Sequence, residues 1–259
     1  PHQKYFAKDG KQVCGVTTIL NVLAKEALYD WYPRVEREGV KEHVLTVCGR
    51  QSWDESGKGD RLLMWRDLEA AFNTLPKWDS GKPKWFGKAE SSNAADLGTI
   101  AHARIEAWLH GTTLDPSGLD EALYAASLAP LERFQEWWGG EGLELVSSEE
   151  QLVHPELRYG GTIDFVARDR DGKLVLGDIK TTKANRDWPY PTVIAQVAAY
   201  GELWNRTHSG GVVTRSVVVR VGKTPEDLGQ QVWLSAKKLD AGMRLFLAAK
   251  DAYEAQREL

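Results

Sequence analysis

The chain changes hydrophobic rhythm along its length. β-Branched and aromatic residues crowd positions 159–168 and 173–181, as in two strands, and Asp169-Arg170-Asp171-Gly172 between them offers a glycine where a turn needs positive φ. On either side, apolar residues recur at helical spacing. Upstream, Leu97, Ala101, Ile105 and Trp108 predict one face of a helix over 97–109, closed by Gly111. Downstream, Ile194, Val197, Ala198 and Gly201 predict another over 192–205, with Pro191 in its first turn.

Weaker patterns complete the chain. After a short strand-like start, Thr17 or Thr18 is expected to cap a helix running to Leu23, and further helices are expected over 28–42 and 60–75. Positions 119–138 read as a helix or a pair of helices carrying Leu123, Leu128, Leu131, Phe134 and Trp138. Strands are expected over 212–221 and 230–234. Ser235 then caps a final amphipathic helix that turns Leu239, Met243, Phe246 and Leu247 inward. This organisation predicts a mainly helical N-terminal lobe over 1–90 and a core over 91–259, with no internal repeat and no low-complexity tract.

The paired strands place charge in an unusual way. If Asp169 faces Lys173 across the loop, paired positions sum to a constant, and Asp164 falls opposite Asp178. Alternation of faces then gathers Asp164, Asp178 and Lys180 on one side and Ile163, Phe165, Val175 and Ile179 on the other. Opposed carboxylates with Cβ atoms about 5 Å apart repel by roughly 3 kcal/mol at an effective dielectric near 20. A hard divalent cation such as Mg2+ or Mn2+ relieves that repulsion, because it takes carboxylate, water and phosphate oxygens. Lys180 is then placed to orient or deprotonate an attacking water, or to offset charge developing on a phosphate.

Taken alone, Asp178-Ile179-Lys180 is better read as a solvated surface pair, and its company changes that reading. Gly98, His102 and Glu106 fall at i, i+4 and i+8, one column of the upstream helix. Glycine there permits close backbone approach, and His102 and Glu106 can reach one ion or water. Gln196 and Tyr200 are likewise one turn apart.

In order, Gly98-Thr99-Ile100-Ala101-His102 with Glu106, Gly161-Thr162-Ile163-Asp164, Asp178-Ile179-Lys180-Thr181, and Gln196 with Tyr200 resemble the RecB-type branch of the PD-(D/E)XK nuclease superfamily, over about residues 90–207. Within the branch, the run from Glu149 through Tyr159-Gly160-Gly161 to Gln196-Val197-Ala198-Ala199-Tyr200 is similar to the mitochondrial genome maintenance exonuclease and stand-alone phage exonucleases. The resemblance implies an α/β fold with a restriction-endonuclease-like core, a central mixed β-sheet flanked by helices. It implies a metal held by Asp164, Asp178 and the Ile179 carbonyl, with His102 as a further ligand. By the same carry-over Lys180 is the catalytic lysine, Gln196 and Tyr200 position the site or a DNA strand, and Glu106 is a weaker candidate. Glu149 or Glu150 is a lesser contributor to the metal shell. Iron–sulfur members of the branch need four cysteines, whereas this chain has only Cys14 and Cys48, so no iron–sulfur cluster is expected.

Composition adjusts this picture at its edges. At 259 residues and 42% hydrophobic content the chain can bury a full core, as one large domain or as a core with a lobe. Two distant cysteines suggest neither a disulfide framework nor a zinc site. No apolar run reaches transmembrane length and no signal-peptide pattern is read, so a cytoplasmic protein of a bacterium or a phage-infected host is expected. A net charge of −4, from 33 Lys+Arg against 37 Asp+Glu, argues against a general nucleic-acid-coating protein. It leaves a nuclease open, since local basic stripes and a cation meet the phosphates.

Two places qualify as such stripes. Lys183 and Arg186 follow the Asp-Ile-Lys strand. Lys77, Lys82, Lys84 and Lys88 interleave with Trp78, Trp85 and Phe86 in a loop-like segment, which serves equally as a grip on a DNA strand or as a solvated surface. The expected activity is a metal-dependent DNA exonuclease on single-stranded DNA or DNA ends. The alternatives are a structure-specific endonuclease or flap nuclease, and a non-catalytic DNA-binding protein on the same fold.

Overall fold

The computed structural model describes residues 3–23, 86–181, 188–224 and 226–259, with side chains between 86 and 95 excepted. The helices expected over 28–42 and 60–75 lie outside these residues, as do Cys48, Lys77, Trp78, Lys82, Lys84, Trp85, Lys183 and Arg186. Two compact units divide the chain, Pro1–Ala24 with Leu97–Leu259 and, separately, Lys25–Asp96.

In chain order the elements are β1 (Tyr5–Phe6), β2 (Gln12–Gly15), α1 (Val16–Leu20), α2 (Phe86–Leu109), α3 (Glu121–Ala126), α4 (Leu128–Glu141), β3 (Glu144–Val153), β4 (Tyr159–Arg168), β5 (Leu174–Lys180), α5 (Pro191–Thr207), β6 (Val213–Arg220), β7 (Gln230–Leu234) and α6 (Ala236–Glu258). The strands form one mixed sheet in the order β1-β2-β4-β5-β6-β7, with β3 also paired to β4. This is the restriction-endonuclease-like α/β architecture. β2–β4 and β5–β6 are parallel and the other pairs antiparallel; the β5–β6 pair is parallel because α5 carries the chain across between them.

Two apolar layers sandwich the sheet. On one face Ile105 of α2 and Phe134, Trp137 and Trp138 of α4 pack with Phe165, Val175, Ile179, Val217 and Val219. On the other face α1, α5 and α6 bring Ile19, Ala195, Val197, Leu203 and Phe246 against Val166, Leu174, Leu176 and Val218. β6 is buried on both faces, which explains its unbroken valine run at 217–219. Arg104 pins α2 to the α3–α4 junction through the Tyr124 carbonyl (2.7 Å) and Ser127 Oγ (2.9 Å), which fixes the helix that carries His102.

Several expectations need correction. α2 begins at Phe86, so Phe86 and Lys88 open a helix and are not part of a loop. Thr17 and Thr18 do not cap α1. Gly15 occupies the cap position without a side-chain bond, both threonines lie inside the helix, and it ends at Leu20. β1 and β2 join the sheet of the core through Cys14↔Tyr159 and Gly15↔Gly160, a pairing across more than a hundred residues that no local pattern announces. Ile163 packs with Val166 and Leu176, not with Phe165 and Val175 as simple alternation requires. By contrast Ser235 does cap α6, accepting from the Lys238 amide at 3.3 Å. Among the described residues no helix is long and apolar enough to cross a membrane.

Candidate active site

The β4–β5 loop closes as its sequence dictates. Gly172 takes φ +77°, the Asp169 amide donates to the Lys173 carbonyl at 3.0 Å, and the paired positions run from Arg168↔Leu174 to Phe165↔Gly177. One further step sets Asp164 opposite Asp178. There the two strands separate, and the Asp164 carboxylate takes the place of a backbone acceptor: Ile179 N donates to Asp164 Oδ2 at 2.6 Å. β2 meets β4 only at Tyr159 and Gly160, so Asp164 sits in the gap between β2 and β5 along that edge. A gap of this kind leaves side chains, and not a ladder, to satisfy the backbone.

Four elements converge on the gap. Asp178 is fully buried; Lys180 Nζ lies 2.8 Å from its Oδ1 and 2.7 Å from its Oδ2. The alignment suits a hydrogen bond only at Oδ1, so the buried Oδ2 has an ion-pair neighbour but no directed donor. From α2, His102 Nδ1 stands 3.9 Å from Asp164 Oδ2, and the imidazole meets the Ile179 carbonyl. From β3 comes Glu149, and ligand atoms of His102, Glu149 and Asp164 all lie within 4.8 Å of one another. α5 adds Gln196, whose Nε2 donates to Tyr200 Oη at 3.0 Å.

Small residues make this convergence possible. A Cβ at Gly98 would stand 2.8 Å from Thr181 Oγ1, so the glycine lets α2 approach the end of β5. A Cβ at Gly161 would stand 2.5 Å from Tyr200 Cε1 and 3.1 Å from Leu203 Cδ1. Tyr200 is buried and held by Gln196, so it has little room to yield. Gly161→Ala is therefore expected to cost about 1–3 kcal/mol of stability through overpacking. Urea unfolding checks this, and a midpoint equal to the wild type would contradict the packing described.

Electrostatics mark the same place. Burial raises Asp178 to about 6, with the Asp164 charge adding to it and Lys180 opposing it. Burial also raises Asp164. Glu149 is pushed up to about 7 by burial, then by the charges on Asp164 and Glu106, which places Glu106 near the cluster. His102 drops to about 4 through burial and the nearby Lys180, so its ring is neutral and free to ligate. Burial works against the Lys180 charge, but Asp178 and Asp164 outweigh it and hold the ammonium charged. Tyr200 keeps its proton, because burial and then the two aspartates raise its pKa well above the usual phenol value.

Three carboxylates that resist ionisation, a neutral imidazole and a buried oxygen without a directed donor form a donor set for a hard divalent cation. The residues present fit such an ion. Of the sequence candidates, Asp164, Asp178, Lys180 and His102 come together here, Ile179 contributes its backbone, and Gln196, Tyr200 and Glu106 border the group. The adjacent glutamates separate: Glu149 enters the cluster, whereas Glu150 turns to His208, 3.1 Å away.

Sequence reading missed the environment of Thr162. Tyr5 Oη lies 3.0 Å from its Oγ1, and the Tyr5 ring occupies the space a Gly160 side chain would fill. The doubled glycine at 160–161, with one ring over each residue, was the available signal.

A mixed sheet flanked by helices is the restriction-endonuclease-like fold, and here paired aspartates, a lysine and an imidazole lie at the parting of two of its strands. The profile of the PD-(D/E)XK nuclease superfamily matches residues 78–257, about two thirds of the chain. The protein belongs to that superfamily, and its activity is that of a nuclease. A search of curated proteins found no match. Among solved structures, an alkaline exonuclease from Laribacter hongkongensis is similar at 17% identity, over 65% of this chain and 91% of that one, with a TM-score of 0.32. The same exonuclease in complex with dAMP gives 0.31. A Eubacterium rectale protein provisionally assigned as an exonuclease aligns over 89% of this chain and 87% of its own, at 10% identity and a TM-score of 0.39.

Proposed function

We propose that this chain is a Mg2+- or Mn2+-dependent deoxyribonuclease of the RecB-type branch that hydrolyses phosphodiesters as an exonuclease on single-stranded DNA or DNA ends. The observation that carries the reading is the meeting of Asp164, Asp178, Lys180, His102 and Glu149 where β4 and β5 part. Asp164, Asp178, Glu149, His102 and the Ile179 carbonyl are the groups that would hold the cation, which supplies Lewis acidity at the phosphate and eases ionisation of the attacking water.

The protein's own groups do the rest. Lys180, kept charged by two aspartates, donates to the water or to a phosphate oxygen and offsets the negative charge that grows there. Tyr200 and Gln196 form a second donor pair beside Asp178 that orients the strand. Lys183, Arg186, Lys82, Lys84 and Trp85 are proposed to meet the DNA.

Digestion of end-labelled linear single- and double-stranded DNA beside a circular control, with and without Mg2+ or Mn2+, tests the assignment. Shortening of linear single strands from an end, only with metal, and an intact circle are expected. A cut circle would turn the reading to an endonuclease. DNA left whole with either metal would end it.

A further inference from the structure

Glu149 adopts φ 48° in the middle of β3. The ladder to β4 is formed on both sides of it, at Ser148↔Phe165 and Glu150↔Ile163, so one residue turns left-handed inside an otherwise extended strand. Another irregularity, a register shift between Leu145 and Ser147, lies just before it. A non-glycine residue stays in that conformation only where its surroundings over-determine it.

The next residue supplies the hold. Glu150 Oε1 is 3.1 Å from His208 Nε2, and Glu150 Oε2 accepts from Ser147 Oγ at 2.5 Å. His208 is the residue that ends α5, and its ring stacks on the buried Trp204 with centroids 3.7 Å apart and planes within 8°. Glu150 thus fastens the strand, immediately after its left-handed residue, to the helix that carries Gln196 and Tyr200. With Glu150 drawn to α5, the preceding side chain faces the other way, toward His102 and Asp164.

We propose that the Glu150–His208 contact is a clasp that holds β3 in the conformation presenting Glu149 to the cation site, so that His208 and Glu150 are positioning residues for metal binding. The inference rests on the metal-dependent reading above and adds residues that touch neither metal nor DNA. Because the clasp acts through Glu149, its effect must vanish when the Glu149 carboxylate is absent.

The test is Mn2+ binding to the full chain by calorimetry, for wild type, His208→Ala, His208→Gln, Glu149→Ala and the Glu149→Ala/His208→Ala double variant. His208→Ala is expected to weaken Mn2+ binding roughly tenfold, the scale of outer partners of metal ligands. His208→Gln, which keeps an N–H donor, should restore most of the loss, and the double variant should bind no more weakly than Glu149→Ala alone. If His208→Ala does not fold, Glu150→Ala takes its place in the same cycle. Unchanged binding in His208→Ala, an equal loss with and without Glu149, or a wild type that takes up no Mn2+ would overturn the clasp. Cleavage of labelled DNA separates the two claims. Coupling of His208 to Glu149 in a protein that leaves DNA intact removes the nuclease reading and keeps the clasp. A wild type that cuts DNA while His208→Ala binds Mn2+ normally does the reverse.

Discussion

Asp178→Asn and Lys180→Ala each lower the rate of DNA cleavage by roughly 10²–10³-fold, the scale of removing one preorganised charge stabiliser. The two arrive there differently. Asp178 is fully buried and its charged form is disfavoured by that burial, so the amide removes a cation ligand while relieving the metal-free fold of an expensive group. Lys180→Ala takes away the ammonium 2.8 Å from Asp178 and leaves the carboxylates facing one another without compensation. Without metal, Lys180→Ala should therefore melt below the wild-type temperature and Asp178→Asn closer to it, since the amide oxygen still accepts from the Lys180 ammonium. Single-turnover cleavage and thermal unfolding measure the pair. A folded Asp178→Asn protein that keeps a tenth of wild-type activity would count against this site.

Mn2+ binding should strengthen as pH rises from about 6 to 7, by up to roughly tenfold per pH unit for each proton displaced. The carboxylates set this window. Asp178 titrates at about 6 against an ordinary 3.8, and Glu149 at about 7 against 4.5, both raised by burial. Each group binds its proton more tightly in the fold than in the open chain. The stability this contributes to the metal-free protein is complete below the ordinary values and is lost as pH climbs through about 6 to 7. A divalent cation needs the same carboxylates ionised, so it recovers in the upper part of the range what the metal-free protein loses. Calorimetry in buffers of different ionisation heat should find protons released on binding, more of them below pH 7 than above. An affinity flat across that range would contradict the burial of these groups.

The hairpin was legible in the sequence because a short loop leaves little freedom. Once Asp169 and Lys173 are tied, the later partners follow down to Phe165 and Gly177, one step short of Asp164 and Asp178. The closing helix was legible for a similar local reason, a serine at its cap and an apolar face that finds the core. His102 followed from helical spacing, but its nearness to the strands depends on Gly98, whose contact with Thr181 is tertiary.

Other features depended on the whole fold. Neighbouring glutamates at 149 and 150 look alike in any pattern, and only the left-handed turn in β3 and the His208 contact separate them. The first strands are two and four residues long, too short to announce a partner as distant as Tyr159. Ile163 leaves its expected face beside Asp164, where one edge of β4 passes from β2 to β5 and the ladder to β3 skips the left-handed Glu149.

The central claim is that one divalent cation sits among the side chains at 102, 149, 164 and 178. Anomalous diffraction from crystals soaked in Mn2+ tests it directly. A single strong peak bounded by His102, Glu149, Asp164 and Asp178, and lost in Asp164→Asn crystals, is the predicted result. A peak elsewhere on the molecule, with these side chains bound only to one another, would contradict it.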